Sequence, residues 1–255
     1  MTCHRRHFLE LAAGSVLAGV LPFQSLAAET RQPRFKALVF DAFPIFDPRP
    51  IGALAESLFP GQGEALMNVW RTRQFEYQWL RALGGQYIDF LQATDDGLTF
   101  AAGQLRLTVS SAQRAQLMAA WTNLQPWPDV ASAIGQLRQA GVRLAFLSNM
   151  TAGALSDGLR AARLDGTFEA VISTERVRSY KPDPRAYQLG IDTLGLRKEE
   201  ILFVAFAGWD VAGAKWFGYP TFWVNRTNAP AEQLGATADA TGADLAALLR
   251  FVLPG

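Results

Sequence analysis

Four stretches put reactive side chains where an α/β chain can use them. Ala37-Leu-Val-Phe40 is an apolar run too short for a self-sufficient helix; it reads as a continuously buried strand, and it ends in Asp41. Val142–Leu147 is a second such strand, followed by Ser148-Asn149, and Ile201–Ala205 is a third, followed shortly by Gly208-Trp209-Asp210. Lys181 stands in a loop just before a helix that opens at Pro184. In open α/β sheets the ligand crevice lies beyond the carboxyl ends of the strands. Asp41, Ser148, Asn149 and Asp210 would therefore share one edge, with Lys181 beside it. Carboxylates and a lysine so placed can supply a nucleophile, a general base and a counter-charge. Taken alone, Asp41 reads equally well as a strand-end residue that caps the following turn.

Composition removes most other chemistries. The chain has 255 residues, with one Cys and two His. All three lie in the first seven residues, as Cys3, His4 and His7. That opening stretch carries paired Arg5-Arg6, then Phe8-Leu9, an apolar run to Leu21 and small residues near Ser25-Leu-Ala27. It resembles a twin-arginine signal peptide over residues 1–27, with cleavage expected after Ala27 and, next in order, after Ala28. The run is too short and too rich in Ala and Gly for a stable membrane anchor. The expectation is export in the folded state to the periplasm, with the twin-arginine machinery as a transient partner. Past residue 27 there is neither Cys nor His, so a Ser-His-Asp triad, thiol chemistry and the usual zinc and haem ligand sets are excluded, as are disulfides. The whole chain carries a formal charge of +1, and residues 1–27 hold Arg5 and Arg6 against Glu10, which leaves the remainder neutral. Nothing in that balance points to nucleic acid or to an anionic membrane.

The remaining pattern divides in two. Between Pro48 and about Gln125 there is no strand signal. Ala65, Val69, Trp70, Phe75, Trp79, Leu80 and Leu83 recur at three- and four-residue intervals up to Gly84-Gly85, and Tyr87–Gln104 and Ser110–Trp121 read as further helices. From Pro126 helix and strand alternate: helix 129–140, strand 142–147, helix 152–162, strand 170–173, helix 184–194, strand 201–205, helix 211–217, strand 221–224 and helix 243–252. Such alternation predicts a parallel sheet with helices on both faces. The fold class is α/β: a Rossmann-like, doubly wound, mainly parallel core over 34–47 and 126–253, interrupted by an all-helical insertion at 48–125.

Asp41 at the end of the first strand, Leu147-Ser-Asn149, Tyr180-Lys-Pro-Asp183 with Tyr187, and Trp209-Asp-Val-Ala-Gly-Ala-Lys215 occur in an order that resembles the haloacid dehalogenase superfamily. With Trp70-Arg-Thr-Arg-Gln-Phe-Glu-Tyr-Gln-Trp-Leu-Arg81 in the insertion, the likeness is to its L-2-haloacid dehalogenase (type II) group, over nearly the whole chain past residue 27. Phosphatases of the superfamily carry a second Asp two residues after the nucleophile; this chain has Phe43 there. A halide leaves without a proton, so Phe43 fits displacement at carbon better than phosphoryl transfer.

The resemblance implies a function: hydrolysis of a short (S)-2-haloacid to the (R)-2-hydroxyacid and halide through an ester on Asp41. It implies no cofactor and no metal. Asp41 would be the nucleophile, Arg71 the cation that assists halide departure, and Ser148 and Asn149 the holders of substrate carboxylate or halide. Lys181 would favour the charged carboxylate of Asp41, and Asp210 would pair with Lys181 and help activate water. Tyr187 is expected near that lysine and is counted with the substrate-contacting residues. Phe43, Phe75, Phe90 and Trp209 would form an apolar wall. The group's members are commonly dimeric, which makes a homodimer a possible assembly. The chain departs from the group where Gly-Thr is replaced by Pro44-Ile45, and where polar residues before Trp-Asp are replaced by Ala205-Phe-Ala207. Asp41 is thus expected to have fewer hydrogen-bonding supports. A weakened small-carboxylate binder of the same fold, and behind it a phosphatase, are the competing readings.

Overall fold

The computed structural model describes residues 33–253. The expected signal segment, with Arg5-Arg6 and the cleavage positions, lies outside the described residues. Six strands form a parallel sheet: β1 (Ala37–Phe40), β4 (Arg143–Ser148), β5 (Ala170–Ser173), β6 (Ile201–Ala205), β7 (Thr221–Val224) and β8 (Ala240–Gly242), in the order β5-β4-β1-β6-β7-β8. β1 is central, with Phe40 level with Phe146 of β4 on one side and Val204 of β6 on the other. The chain winds outward from β1 in both directions, so the switch point falls at the end of β1, where Asp41 sits.

Strand side chains alternate between two apolar layers. Leu38, Phe40, Leu144, Phe146, Leu202 and Val204 pack with α5 (Val130–Gln139), α6 (Ala152–Ala161) and α9 (Leu245–Val252). Ala37, Val39, Ala145, Leu147, Phe203 and Ala205 pack with α7 (Pro184–Leu194) and α8 (Gly208–Phe217). Burial on both faces explains why these strands are apolar without interruption.

Between Asp47 and Gln125 the chain forms four helices: α1 (Arg49–Leu58), α2 (Gly63–Leu83), α3 (Phe90–Leu105) and α4 (Ser111–Ala120). The starts of α3 and α4 are written in the sequence. Asp89 accepts the Gln92 N–H at 2.9 Å, and Ser110 and Gln113 form a reciprocal capping box. α2 and α3 pack closely at Gly97, where an added Cβ would lie 3.1 Å from the Gln74 nitrogen and 3.3 Å from the Trp70 ring.

Three elements differ from the sequence expectation. A two-residue antiparallel ribbon joins β2 (Phe46–Asp47) to β3 (Gln125–Pro126), closing the helical segment at its base; two residues are too few for a periodicity signal. β8 is a short edge strand; Thr241 is exposed and Ala240 and Gly242 are only partly covered, so it lacks an apolar run. α8 begins at Gly208, three residues earlier than its apolar pattern, which puts Trp209 and Asp210 in its first turn. Among the described residues no helix is long and apolar enough to cross a membrane.

Candidate active site

Asp41 leaves β1 with its backbone N–H bonded to the Val204 carbonyl at 3.0 Å, so it is still in register with β6. The residue is 8% exposed. One carboxylate oxygen accepts from Lys181 Nζ at 2.9 Å, and the other faces the Phe43 N–H at a long 3.5 Å. These are its hydrogen bonds among the described residues. Ile45 and Ala205 are fully buried and offer it nothing polar, as their types predict.

The turn after Asp41 is held from outside instead. Trp127 Nε1 donates to the carbonyls of Phe43 and Phe46, both at 3.0 Å, and Arg226 donates to the Pro44 carbonyl at 2.9 Å while ion-paired with Asp129 at 3.0 Å. Tryptophan and arginine from distant segments thus fix the turn's backbone, without reaching the Asp41 carboxylate.

Lys181 is 1% exposed and joins two carboxylates, with Nζ 2.9 Å from Asp41 and 2.6 Å from Asp210. Its loop is fixed at both peptide groups. The Lys181 N–H donates to Asn149 Oδ1 at 2.9 Å, and its carbonyl accepts from Trp79 Nε1 at 3.0 Å. Asp210 lies in the first turn of α8, where unpaired backbone N–H groups favour negative charge. Tyr187 on α7 donates to its other oxygen at 2.7 Å.

Burial is the largest influence on all three groups. It pushes the Asp210 carboxyl up, to about 6, with Lys181 pulling down and Asp41 adding to the rise. Burial works against the charge on Lys181, but Asp210 and then Asp41 hold the ammonium above its ordinary value. The Tyr187 phenol is pushed well above its usual range by burial and then by Asp210, so it remains a donor.

Gly213, one turn beyond Asp210, makes room for this contact. An added Cβ would collide with the Tyr187 hydroxyl and come within 2.8 Å of Pro182. Gly213→Ala is therefore expected to lose about 1–3 kcal/mol of stability through overpacking, read as a lower urea midpoint with unchanged m-value.

In front of Asp41 is a cavity of about 80 Å³. It brings together Asp41, Phe43, Arg71, Phe75, Phe90, Ser148, Asn149 and Trp209, all expected at the site. Lys181, Asp210 and Tyr187 are not in its wall. They form the layer behind Asp41, so Tyr187 touches Asp210 and does not reach the cavity. Arg71 makes no hydrogen bond or ion pair with the described residues. Its guanidinium lies 5.9 Å from the Phe43 ring centroid, 5.6 Å from Phe75 and 5.9 Å from Trp121. Burial pulls it below its ordinary value, with Asp41 acting in the opposite direction. Phe75 and Trp209 meet edge to face at 5.5 Å between centroids.

The wall also includes Gln74, Gln78 and Met150, which the sequence reading did not single out, and Phe206 and Ala207, named there only as departures from the group's polar residues. A signal for the glutamines was present. Arg71, Gln74, Phe75 and Gln78 follow i, i+3, i+4, i+7 spacing on α2, and a helix face that buries two glutamines is unusual.

The arrangement suits substitution at carbon: a buried carboxylate, a lysine behind it, and a cation with no hydrogen-bond or ion-pair partner among the described residues across an apolar space. The fold and site define a protein of the α/β class with a buried carboxylate at the end of its central strand, facing a small apolar cavity. A profile for haloacid dehalogenase-like hydrolases matches residues 8–218. The haloacetate dehalogenase H-2 of Moraxella sp. (strain B) is 38% identical over 220 residues, covering 86% of this chain and 98% of that one. An (S)-2-haloacid dehalogenase of Pseudomonas sp. (strain YL) is 37% identical, covering 80% and 88%. The L-2-haloacid dehalogenase structure from Xanthobacter autotrophicus with chloropropionic acid covalently bound superposes with a TM-score of 0.78 at 34% identity, covering 85% and 98%. The chain belongs to the haloacid dehalogenase-like hydrolases, in the L-2-haloacid dehalogenase group.

Proposed function

We propose that this protein is an (S)-2-haloacid dehalogenase, with helices α1–α4 (within residues 48–125) acting as a cap over the α/β core. The observation that carries the reading is the presence in one small aromatic cavity of Asp41 and of Arg71, which has no partner among the described residues, with Phe43 at the place of a second carboxylate. Asp41 attacks C2 of the substrate; the new C–O bond forms with inversion as the carbon–halogen bond breaks, and the halide leaves with the electron pair toward Arg71. Water then adds to the carboxyl carbon of the Asp41 ester and passes one proton toward Asp210 behind it; collapse breaks the bond from that carbon to the substrate oxygen, which takes the remaining hydroxyl proton of the intermediate, releasing the (R)-2-hydroxyacid and returning Asp41 as a carboxylate. Lys181 stabilises the negative charge at Asp41 as it is regenerated. The test is stoichiometric halide and (R)-lactate from (S)-2-chloropropionate; absence of both in the purified protein overturns the reading.

The layer behind Asp41 sets the pH dependence. Asp210 must be ionised to take a proton, and its value is raised to about 6. kcat is expected to be flat above neutrality and to fall tenfold per pH unit below about 6. Stopped-assay profiles check this, and Asp210→Asn is expected to remove that limb along with most of the activity.

Export to the periplasm through the Arg5-Arg6 segment is part of the proposal. Cell fractionation, with the released protein starting at Ala28 or Glu29, tests it.

A further inference from the structure

Three buried side-chain nitrogens among the described residues lack a hydrogen-bond partner: Gln78 Nε2, Trp121 Nε1 and Arg226 Nε. Of these residues only Gln78 lines the cavity, and it is wholly buried. A buried amide donor left unpaired is unfavourable, and a helix face against an apolar cavity is better filled by Leu or Met. The amide's orientation is fixed by its neighbours. The Lys181 N–H donates to Asn149, so that atom of Asn149 is its oxygen, and its nitrogen faces α2. Asn149 Nδ2 in turn needs an acceptor, and Gln78 Oε1 supplies it at 3.3 Å. Nε2 of Gln78 is therefore the free group, a donor next to the remaining N–H of Asn149.

We propose that Gln78 Nε2 binds the carboxylate of the substrate and, with Asn149 and Ser148, makes one end of the cavity a carboxylate site; this rests on the dehalogenase reading above. Arg71 is seven residues earlier on the same helix, about 10 Å along its axis. The two side chains thus divide the substrate's charges between opposite ends, with the guanidinium at the departing halide and the paired amides at the two carboxylate oxygens. Gln78 also locks Asn149, and through it the Lys181 backbone, so substrate held at this end is registered against the nucleophile's own support.

The test uses the full chain, Gln78→Glu and Gln78→Met, titrated with propionate and separately with bromide by the fluorescence of Trp209 and its neighbours. Glu keeps the acceptor for Asn149 and replaces the donor with an anionic or acceptor oxygen; Met removes both. Thermal melts establish that each variant is folded, and Gln78→Glu alone decides the matter if Gln78→Met is not. Both variants are expected to weaken propionate about tenfold or more while bromide binding stays within about twofold. Unchanged propionate binding, an equal loss for bromide, or no propionate binding to the wild type overturns the proposal. The two readings fail separately. Halide release by the wild type with variants that bind propionate normally removes the role of Gln78 alone, whereas propionate binding through Gln78 without any halide release removes the dehalogenase reading.

Discussion

Asp41→Asn is expected to lower kcat on (S)-2-chloropropionate by roughly 10⁴-fold or more while leaving the fold in place. The size follows from the site. Among the described residues, the cavity wall holds no other carboxylate, no Cys and no His, so no neighbour can take over the attack on C2. Asn keeps an oxygen for Lys181 Nζ, which retains Asp210 as its second partner, so the buried lysine stays satisfied. Loss of activity with an unchanged melting transition separates nucleophile from structural support. A single turnover by excess wild-type enzyme in ¹⁸O-water gives an independent reading. In the proposed mechanism water adds to the Asp41 carbon and not to C2, so the label is expected on the enzyme and not in the first molecule of lactate. Label in that first product, or a variant within tenfold of wild type, would remove Asp41 from the nucleophile's role.

The parts of this site visible in the sequence were those tied to strand ends. β1 and β4 are short, apolar and closed by polar residues, and β6 leads into α8 with Asp210 in its first turn; the parallel sheet brings these ends together, so Asp41, Ser148 and Asn149 line the cavity and Asp210 lies in the layer behind Asp41. The helical segment was visible through its periodicity and caps. What stayed hidden depends on contacts between residues far apart in the chain. The anchoring of the Asp41 turn by Trp127 and Arg226 spans more than 80 residues in each case and has no local signature. The position of Tyr187 behind Asp210 is set by α7 packing on α8, and its chemistry alone does not separate a cavity wall from a supporting layer. Gln78 was obscured because a glutamine in a charged, aromatic-rich helix reads as solvent-facing; its spacing from Arg71 places it on the same face, but its burial rests on contacts such as that with Asn149.

Those supporting layers bear on the second large effect, expected from Lys181→Met. Lys181 is the cation shared by two buried carboxylates, and its ammonium has no access to water to relax into. Breaking such a pair by removing one member costs about 3–5 kcal/mol, because the desolvated charge left behind is uncompensated. Here two carboxylates are left behind, on opposite sides of the missing cation. Activity is expected to fall at least about 100-fold, since the regenerated Asp41 loses its counter-charge and Asp210 loses the partner that keeps it ionised near neutrality. The pH dependence of the stability loss distinguishes this account from simple loss of packing. Asp210 is already raised to about 6 by burial against the opposing pull of Lys181. Without that pull it rises further, and a carboxyl raised in the folded state contributes stability that is complete below its unfolded value and lost as pH rises through the folded one. The variant is therefore expected to be most destabilised near pH 8 and to recover toward pH 5 as Asp210 takes up a proton. Adding Asp210→Asn to Lys181→Met should restore much of the stability at pH 8, because it removes one of the two stranded charges, without restoring turnover. Urea denaturation of the single and double variants at pH 5 and pH 8 measures this directly. A deficit that is the same at both pH values would mean that the lysine's aliphatic stem, and not its charge, supports the nucleophile.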